Sequence, residues 1–108
     1  MATYTNTSYV AKNVGTSAST LTTVASATTA TLTSLVVANT TSSPITCDVY
    51  ITRSAVDYYI VKTATVAVGG SLEVMQGNRI VLIASDALKV VTSAATSADV
   101  IASVLLTT

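Results

Sequence analysis

Histidine, tryptophan and phenylalanine are absent from this sequence of 108 residues, which contains one cysteine and one proline. Without histidine, the chain lacks the usual general base, the usual partner of a catalytic thiolate and the commonest metal ligand. The single cysteine, Cys47, cannot form an intrachain disulfide, and this weakly favours a protein made in the cytoplasm. We therefore predict that the protein is not an enzyme and that it has no catalytic residues, no cofactor and no metal site.

Charge is also scarce. Charged residues make up 9% of the chain, five basic residues are balanced by five acidic ones, and the net charge is zero. Binding to nucleic acid needs a clustered basic patch, so we expect no nucleic acid partner. The longest apolar run, residues 80–84, is far shorter than the roughly 20 residues of a membrane-spanning helix. We therefore expect no membrane partner. The first residues have neither a basic start nor an apolar core, so we also expect no signal peptide.

What the chain has in abundance is β-branched and small polar residues. Serine and threonine together number 34, and valine numbers 16. Valine and threonine pack well on a pleated sheet and are restricted on a helix, so the composition favours strands throughout. Turn formers separate short apolar segments at intervals of about 8 to 12 residues, as in sandwiches and jelly rolls. Gly69-Gly70 is the clearest of these turns.

The pattern predicts an all-β fold, an antiparallel β-sandwich of jelly-roll type with about eight short strands. A small barrel is the alternative topology. Residues 1–17 lack a sustained period and are predicted to form an extended N-terminal arm, either disordered or docked on a neighbouring subunit. Residues 18–108 are predicted to form the sandwich domain.

The segment from Thr31 to Lys62 contains the clearest strand pattern. Ile45, Cys47, Val49 and Ile51 alternate strictly with polar residues, which is the pattern of a half-buried strand. Applying the same period of two to the other strands gives a set of residues predicted to face the core. They are Leu32, Val36, Ile45, Cys47, Val49, Ile51, Tyr59, Val61, Ile80, Leu82, Leu88, Val90, Val100 and Val104.

The face opposite this core is unusually apolar for the outside of a sandwich. With so few charges to keep it solvated, such a surface indicates contact with other subunits, and we predict a homo-oligomer or a component of a larger assembly. The alternative is that several strands have both faces covered within one domain. The residues predicted at the subunit interface are Leu35, Val37, Tyr50, Tyr58, Ile60, Val81, Ile83, Val91, Ile101 and Leu105.

Other residues that could carry chemistry have simpler explanations. Cys47 has aliphatic neighbours at a spacing of two, which predicts an inert buried thiol. Asp48 and Asp57 could approach each other across a hairpin, but nothing in the sequence fixes their separation, and Asp57 is more simply a turn residue. Tyr50 and Tyr58 could stack on a sugar, although aromatic residues are also enriched at protein interfaces.

Three segments carry a family resemblance: ATTATLTSLVVANTTSSPITCDVYIT (27–52), DYYIVKTATVAVGGSLEV (57–74) and GNRIVLIASDALKVVTSAATSADVIASVLLTT (77–108). They resemble small β-sandwich virion proteins of tailed bacteriophages, including those of cyanobacteria. The resemblance covers about residues 19–108, rests on the succession of strands and on the GGSLEV and SDALKV steps, and includes no catalytic signature.

The resemblance implies a structural protein of the virion that is synthesised in the host cytoplasm. Its partners would be further copies of itself and other virion proteins, either the major capsid protein or neck and tail proteins. A decoration or cement protein of the capsid is the leading expectation, followed by a ring at the neck or collar or a component of the tail. A carbohydrate-binding or receptor-binding module is the third.

Overall fold

The computed structural model describes residues 2–108, which form nine strands and no helix. None of these residues forms a helix long and apolar enough to span a membrane. The strands are β1 (Tyr4–Val14), β2 (Ser19–Thr23), β3 (Thr29–Asn39), β4 (Ile45–Arg53), β5 (Val56–Val66), β6 (Ser71–Glu73), β7 (Ile80–Leu82), β8 (Ala87–Thr92) and β9 (Ala98–Thr107).

The strands form two antiparallel sheets. The five-stranded sheet has the order β1-β9-β3, and both β6 and β7 pair with the far side of β3. The four-stranded sheet has the order β2-β8-β4-β5. The predicted all-β antiparallel sandwich is therefore confirmed, with nine strands in place of about eight, and the arrangement is consistent with a jelly roll.

The core lies between the two sheets and is almost entirely aliphatic. Val61 and Ile80, both predicted to face the core, are half-buried and pack against it. Ten further residues of the predicted core are buried: Leu32, Ile45, Cys47, Val49, Ile51, Leu82, Leu88, Val90, Val100 and Val104.

A β-bulge in β3 reverses part of the predicted face assignment. The pairing of β3 with β9 shifts between Leu32 and Ser34, so Thr33 is an extra residue that interrupts the alternation. Beyond this point, Leu35 and Val37 are fully buried, whereas Val36 is only half-buried. The prediction that Leu35 and Val37 face outward and Val36 inward is therefore wrong, because an inserted residue moves every later side chain to the opposite face.

The same effect occurs in β5. Val49 pairs with Val61 but Tyr50 pairs with Tyr59, so Ile60 is an extra residue on β5. The prediction that Tyr59 lies in the core and Tyr58 on the outer face is wrong, because Tyr59 lies on the outer face with Tyr50 and Tyr58 is paired with the inward-facing Ile51. Ile60, predicted to be at the outer interface, packs against the core.

The segment predicted as an N-terminal arm is part of the sandwich. Residues 4–11 pair in unbroken register with β9 of the same chain, and Val14 pairs with Ala98 after a bulge. Val14 is buried in the core. Residues 4–14 are therefore the edge strand of the five-stranded sheet, whereas Met1, which was also assigned to the arm, lies outside the described residues.

Asp86 connects the turn between β7 and β8 to the end of β4 through hydrogen bonds. Its carboxylate, 1% exposed, accepts hydrogen bonds from Arg53 Nε at 2.8 Å and from the backbone N–H of Ile83 at 2.9 Å. Arg53 Nη2 contacts the second carboxylate oxygen, and the backbone carbonyl of Asp86 accepts a bond from Val24 N–H. The hydrogen bond from Arg53 holds the pKa of Asp86 below its usual value, against the opposing effect of burial.

The corrected orientation of β3 can be tested on two adjacent valine and leucine side chains. Leu35→Ala removes a fully buried side chain and should lower the free energy of unfolding by about 3 kcal/mol. Val36→Ala acts on the outer face and should cost roughly 1 kcal/mol or less. Urea unfolding of the two variants measures both values, and a larger loss for Val36→Ala would restore the original assignment.

Asp86 should make the stability of the protein depend on acid pH. Because the folded-state pKa lies below the ordinary value of 3.8, the ionised carboxylate stabilises the fold above that value. This contribution is lost as the pH falls through the folded-state pKa. Urea unfolding between about pH 5 and pH 2 should show a shallower decline for Asp86→Asn than for the wild type. Equal slopes for the two proteins would contradict this role.

Candidate interaction surfaces

The outer surface of the five-stranded sheet carries apolar side chains that are direct cross-strand neighbours. Val10 on β1 is opposite Ile101 on β9, and Ile101 is opposite Val36 on β3. Thr31 on β3 lies between two further apolar residues, Val81 on β7 and Leu105 on β9. We call the five apolar positions the outer apolar face: Val10, Val36, Val81, Ile101 and Leu105.

This face is exposed and nearly free of charge. Val10 is 72% exposed and Ile101 is 53% exposed. The row between its two apolar rows consists of three serines, at positions 8, 34 and 103. Charges occur at its margins. Lys12 Nζ lies 3.5 Å from Asp99 Oδ2, and Glu73 Oε2 accepts a hydrogen bond from Ser34 Oγ at 3.2 Å. Adjacent exposed apolar side chains of this kind are typical of a contact surface.

The predicted interface residues do not lie on one surface. Val81 and Ile101 are exposed on the outer apolar face and Leu105 is half-buried there. Val91 is half-buried on β8 of the other sheet, Ile83 is exposed just after β7, and Tyr58 is exposed on β5. Their part in subunit contacts stays a prediction.

Sequence reasoning missed two members of the outer apolar face. Val36 was assigned to the core because the bulge at Thr33 is invisible in the sequence. Val10 was assigned to the arm, although its spacing of two from Ser8 and Lys12 is the period that places the three residues on one face of a strand.

The outer surface of the four-stranded sheet is different in character. The rings of Tyr50 and Tyr59 lie with their centroids 5.0 Å apart, and Lys62 Nζ lies 4.4 Å from the centroid of Tyr59. Lys62 Nζ also lies 3.7 Å from Asp48 Oδ2. Lys89 is paired with Tyr50 from the other side. This surface is therefore polar and carries charges of both signs.

Tyr50 is largely covered by residues of its own chain. It is 8% exposed, and burial, reinforced by the carboxylate of Asp57, raises the pKa of its hydroxyl. The prediction that Tyr50 is available at a subunit interface is therefore wrong. A sugar platform made of Tyr50 and Tyr58 is also wrong, because the two rings belong to opposite faces of the sheet.

The carboxylates of Asp48 and Asp57, which the sequence places near each other on one hairpin, each make a local hydrogen bond. Asp48 accepts a hydrogen bond from the backbone N–H of Thr63 at 2.6 Å, and Asp57 accepts one from the hydroxyl of Thr52 at 2.7 Å. Within residues 2–108, no group of three or more Cys, Asp or Glu side chains is arranged to hold a metal ion. An open groove of about 290 Å³ beside Tyr58 is lined mainly by aliphatic side chains, with Arg53 as its one charged residue.

Comparison with known proteins shows the fold. A subunit of Bacillus endospore appendages, described as a novel family of disulfide-linked pili, matches with a TM-score of 0.56 and 15% identity, over 98% of this chain and 88% of that chain. A chain of infectious bursal disease virus, Gx strain, matches with a TM-score of 0.53 and 12% identity, over 99% of this chain. This chain spans 36% of that viral chain. No protein-family model and no curated protein matches the sequence.

The one thiol of the chain is placed where it should be unreactive. Cys47 is 1% exposed in the core, and burial together with the neighbouring Asp48 raises its pKa to about 11. A thiolate is the reactive species, so neither disulfide formation nor nucleophilic attack is favoured at this position.

Cys47 should therefore react with Ellman's reagent only when the protein unfolds. At pH 8 the folded wild type should show almost no reaction, and adding denaturant should release one thiol per chain. Thr65→Cys, which adds an exposed thiol on β5, is the matched control and should react at once. Rapid reaction of the folded wild type would contradict the burial of Cys47.

Proposed function

We propose that this chain is a non-enzymatic structural subunit that acts in many copies within a larger protein assembly, and that this assembly is a virion. The observation that carries the proposal is the outer apolar face. Its apolar side chains are cross-strand neighbours on a well-packed sheet, so they are available for contact without any change in the fold. Covering them with another subunit removes apolar surface from water, which is the main source of affinity in permanent assemblies.

The two outer surfaces of the sandwich suit a subunit with a fixed orientation. The outer apolar face would lie against a neighbouring protein, while the surface of Tyr59, Lys62 and Asp48 carries charges that suit contact with water. The fold likeness to a pilus subunit and to a chain of a virus supports an architecture that is used in assemblies.

Within the virion, a decoration protein on the outside of the capsid fits this orientation best. Its partners would be further copies of itself and the major capsid protein, and it would be made in the host cytoplasm. The resemblance of residues 19–108 to phage virion proteins supports the same role. A ring at the neck or a tail component would use the same faces in a smaller number of copies.

A filament subunit is the second candidate. The observation that favours it is the extent of the likeness to the endospore appendage subunit, which covers 98% of this chain and 88% of that one. The disulfide links named for those pili have no counterpart in Cys47, which is buried. A filament of this protein would therefore not be linked through Cys47 and would be held by non-covalent contacts there.

Self-association through the outer apolar face can be tested in solution. Size-exclusion chromatography with light scattering should show the wild type as an oligomer at micromolar concentration. Ile101→Lys places a charge at the centre of the face and should lower the measured mass without unfolding the domain, since Ile101 is exposed. Thr65→Lys adds the same charge on the other sheet and should leave the mass unchanged.

A wild type that stays monomeric up to high concentration would overturn the proposal. Electron microscopy of the purified protein separates the two candidates, because a filament subunit should form fibres and a decoration protein should form discrete symmetric clusters. Counting copies in purified particles then separates decoration, with copies spread over the capsid, from a single ring at the neck.

A further inference from the structure

The two sheets end in strands that differ in how well their edges are protected against pairing. β6 and β7 have three residues each, and β2 has five residues and a bulge. β5 is long, but it contains two register shifts, a residue with positive φ at Thr63, and the charged side chains of Asp57 and Lys62. These are the devices by which edge strands avoid pairing with other chains.

β1 has none of these devices over most of its length. From Tyr4 to Ala11 its register with β9 is unbroken, and this segment contains no charge, no proline and no glycine. Tyr4 and Val10, which are 67% and 72% exposed, both lie on its outer face. From Tyr4 to Ala11, β1 is thus a long edge without a bulge or a charge; Lys12, the positive φ of Asn13 and the register shift all lie after this segment.

The hydrogen-bonding phase of β1 follows from its first pair. Thr3 and Thr108 exchange both backbone hydrogen bonds, at 3.0 and 2.9 Å. Because bonded residues alternate along an antiparallel pair, the odd-numbered residues of β1 bond to β9. The N–H and C=O groups of Tyr4, Asn6, Ser8 and Val10 therefore point away from β9, toward the open edge.

We propose that this edge pairs with the β1 edge of a second copy, antiparallel, about a two-fold axis at Thr7. In that register Tyr4 is opposite Val10 of the other copy and Asn6 is opposite Ser8. All four are residues whose backbone groups face the open edge, so the two strands exchange about eight hydrogen bonds. An aromatic residue opposite a β-branched one is a favourable cross-strand pair, and the symmetry forms it twice.

This pairing deepens the proposed function, on which its biological meaning rests, by naming one contact of the assembly. The row Val36, Ile101 and Val10 would continue onto Tyr4 of the second copy. The outer apolar face of one subunit would thereby become one surface shared by two, which presents a wider target to the neighbouring protein.

Disulfide trapping tests the register. At the two-fold axis the Thr7 residues form a non-hydrogen-bonded pair with Cα atoms about 4.5 Å apart, within the range of a disulfide. Thr7→Cys should therefore form a covalent dimer with oxidised glutathione as the oxidant. Thr5→Cys is the matched control on the same face, where the two Cα atoms would be more than about 13 Å apart. The buried Cys47 should not interfere.

Two blocking variants test the edge itself. Ser8→Pro removes an N–H that faces the open edge and leaves the hydrogen bonds to β9 intact, and Val10→Lys places a charge on the same edge. Each, combined with Thr7→Cys, should reduce the yield of covalent dimer by about ten-fold. If Ser8→Pro unfolds the domain, Val10→Lys provides the same test at an exposed side chain.

The outcomes separate this inference from the proposed function. If Thr7→Cys gives no more dimer than Thr5→Cys while Ile101→Lys still lowers the mass of the assembly, the edge pairing is wrong and the proposed function stands. If Thr7→Cys gives no dimer and the wild type is a monomer at every concentration, both are wrong.

Discussion

The positions of the β-bulges determine which side chains this protein buries. Strands have a period of two, so one inserted residue exchanges the two faces of everything beyond it. In β3 the insertion at Thr33 turns Leu35 and Val37 into the core and leaves Val36 outside. In β5 the insertion at Ile60 places Tyr59 against Tyr50 on the outer surface. The composition of the core and of the outer surfaces therefore depends on these two inserted residues.

This dependence explains which parts of the fold the sequence predicts. β4 pairs with strands on both sides and has no inserted residue of its own, so Ile45, Cys47, Val49 and Ile51 were correctly assigned to the core. The turn at Gly69 was equally clear, because its positive φ suits a residue without a side chain. The all-β fold class and the antiparallel sheets followed from the composition and the spacing of the turns.

The surfaces were harder to predict because they depend on register between distant strands. Val10 and Ile101 are more than ninety residues apart in the chain, and only the pairing of β1 with β9 makes them neighbours. The polar character of residues 4–14 indicated an arm, since an edge strand with one half-buried face has weak apolar periodicity. The ring of Tyr50 is likewise covered by Tyr59 only because of the bulge in β5.

Buried polar groups at the two ends of the sandwich are satisfied by specific hydrogen bonds. Asp86 is buried, and Arg53 and the N–H of Ile83 satisfy it at the end of the sandwich near β7. At the opposite end, Thr92 and Ser97 share a hydrogen bond of 2.7 Å and both bond the carbonyl of Val14. These contacts satisfy polar groups that would otherwise destabilise the buried ends of the strands.

The edge strands of the sandwich limit uncontrolled association with other chains. Most of its edges are short, bulged or charged, which limits pairing with other chains. Residues 4–11 of β1 are the exception among the strands described, and their free backbone groups and exposed apolar side chains are in matching phase for an antiparallel partner. A sandwich whose edges are all protected except one self-complementary strand can pair with a second copy in only one geometry. The proposed two-fold contact would occupy that strand in both copies, so it would add a defined step to an assembly without starting an open-ended sheet.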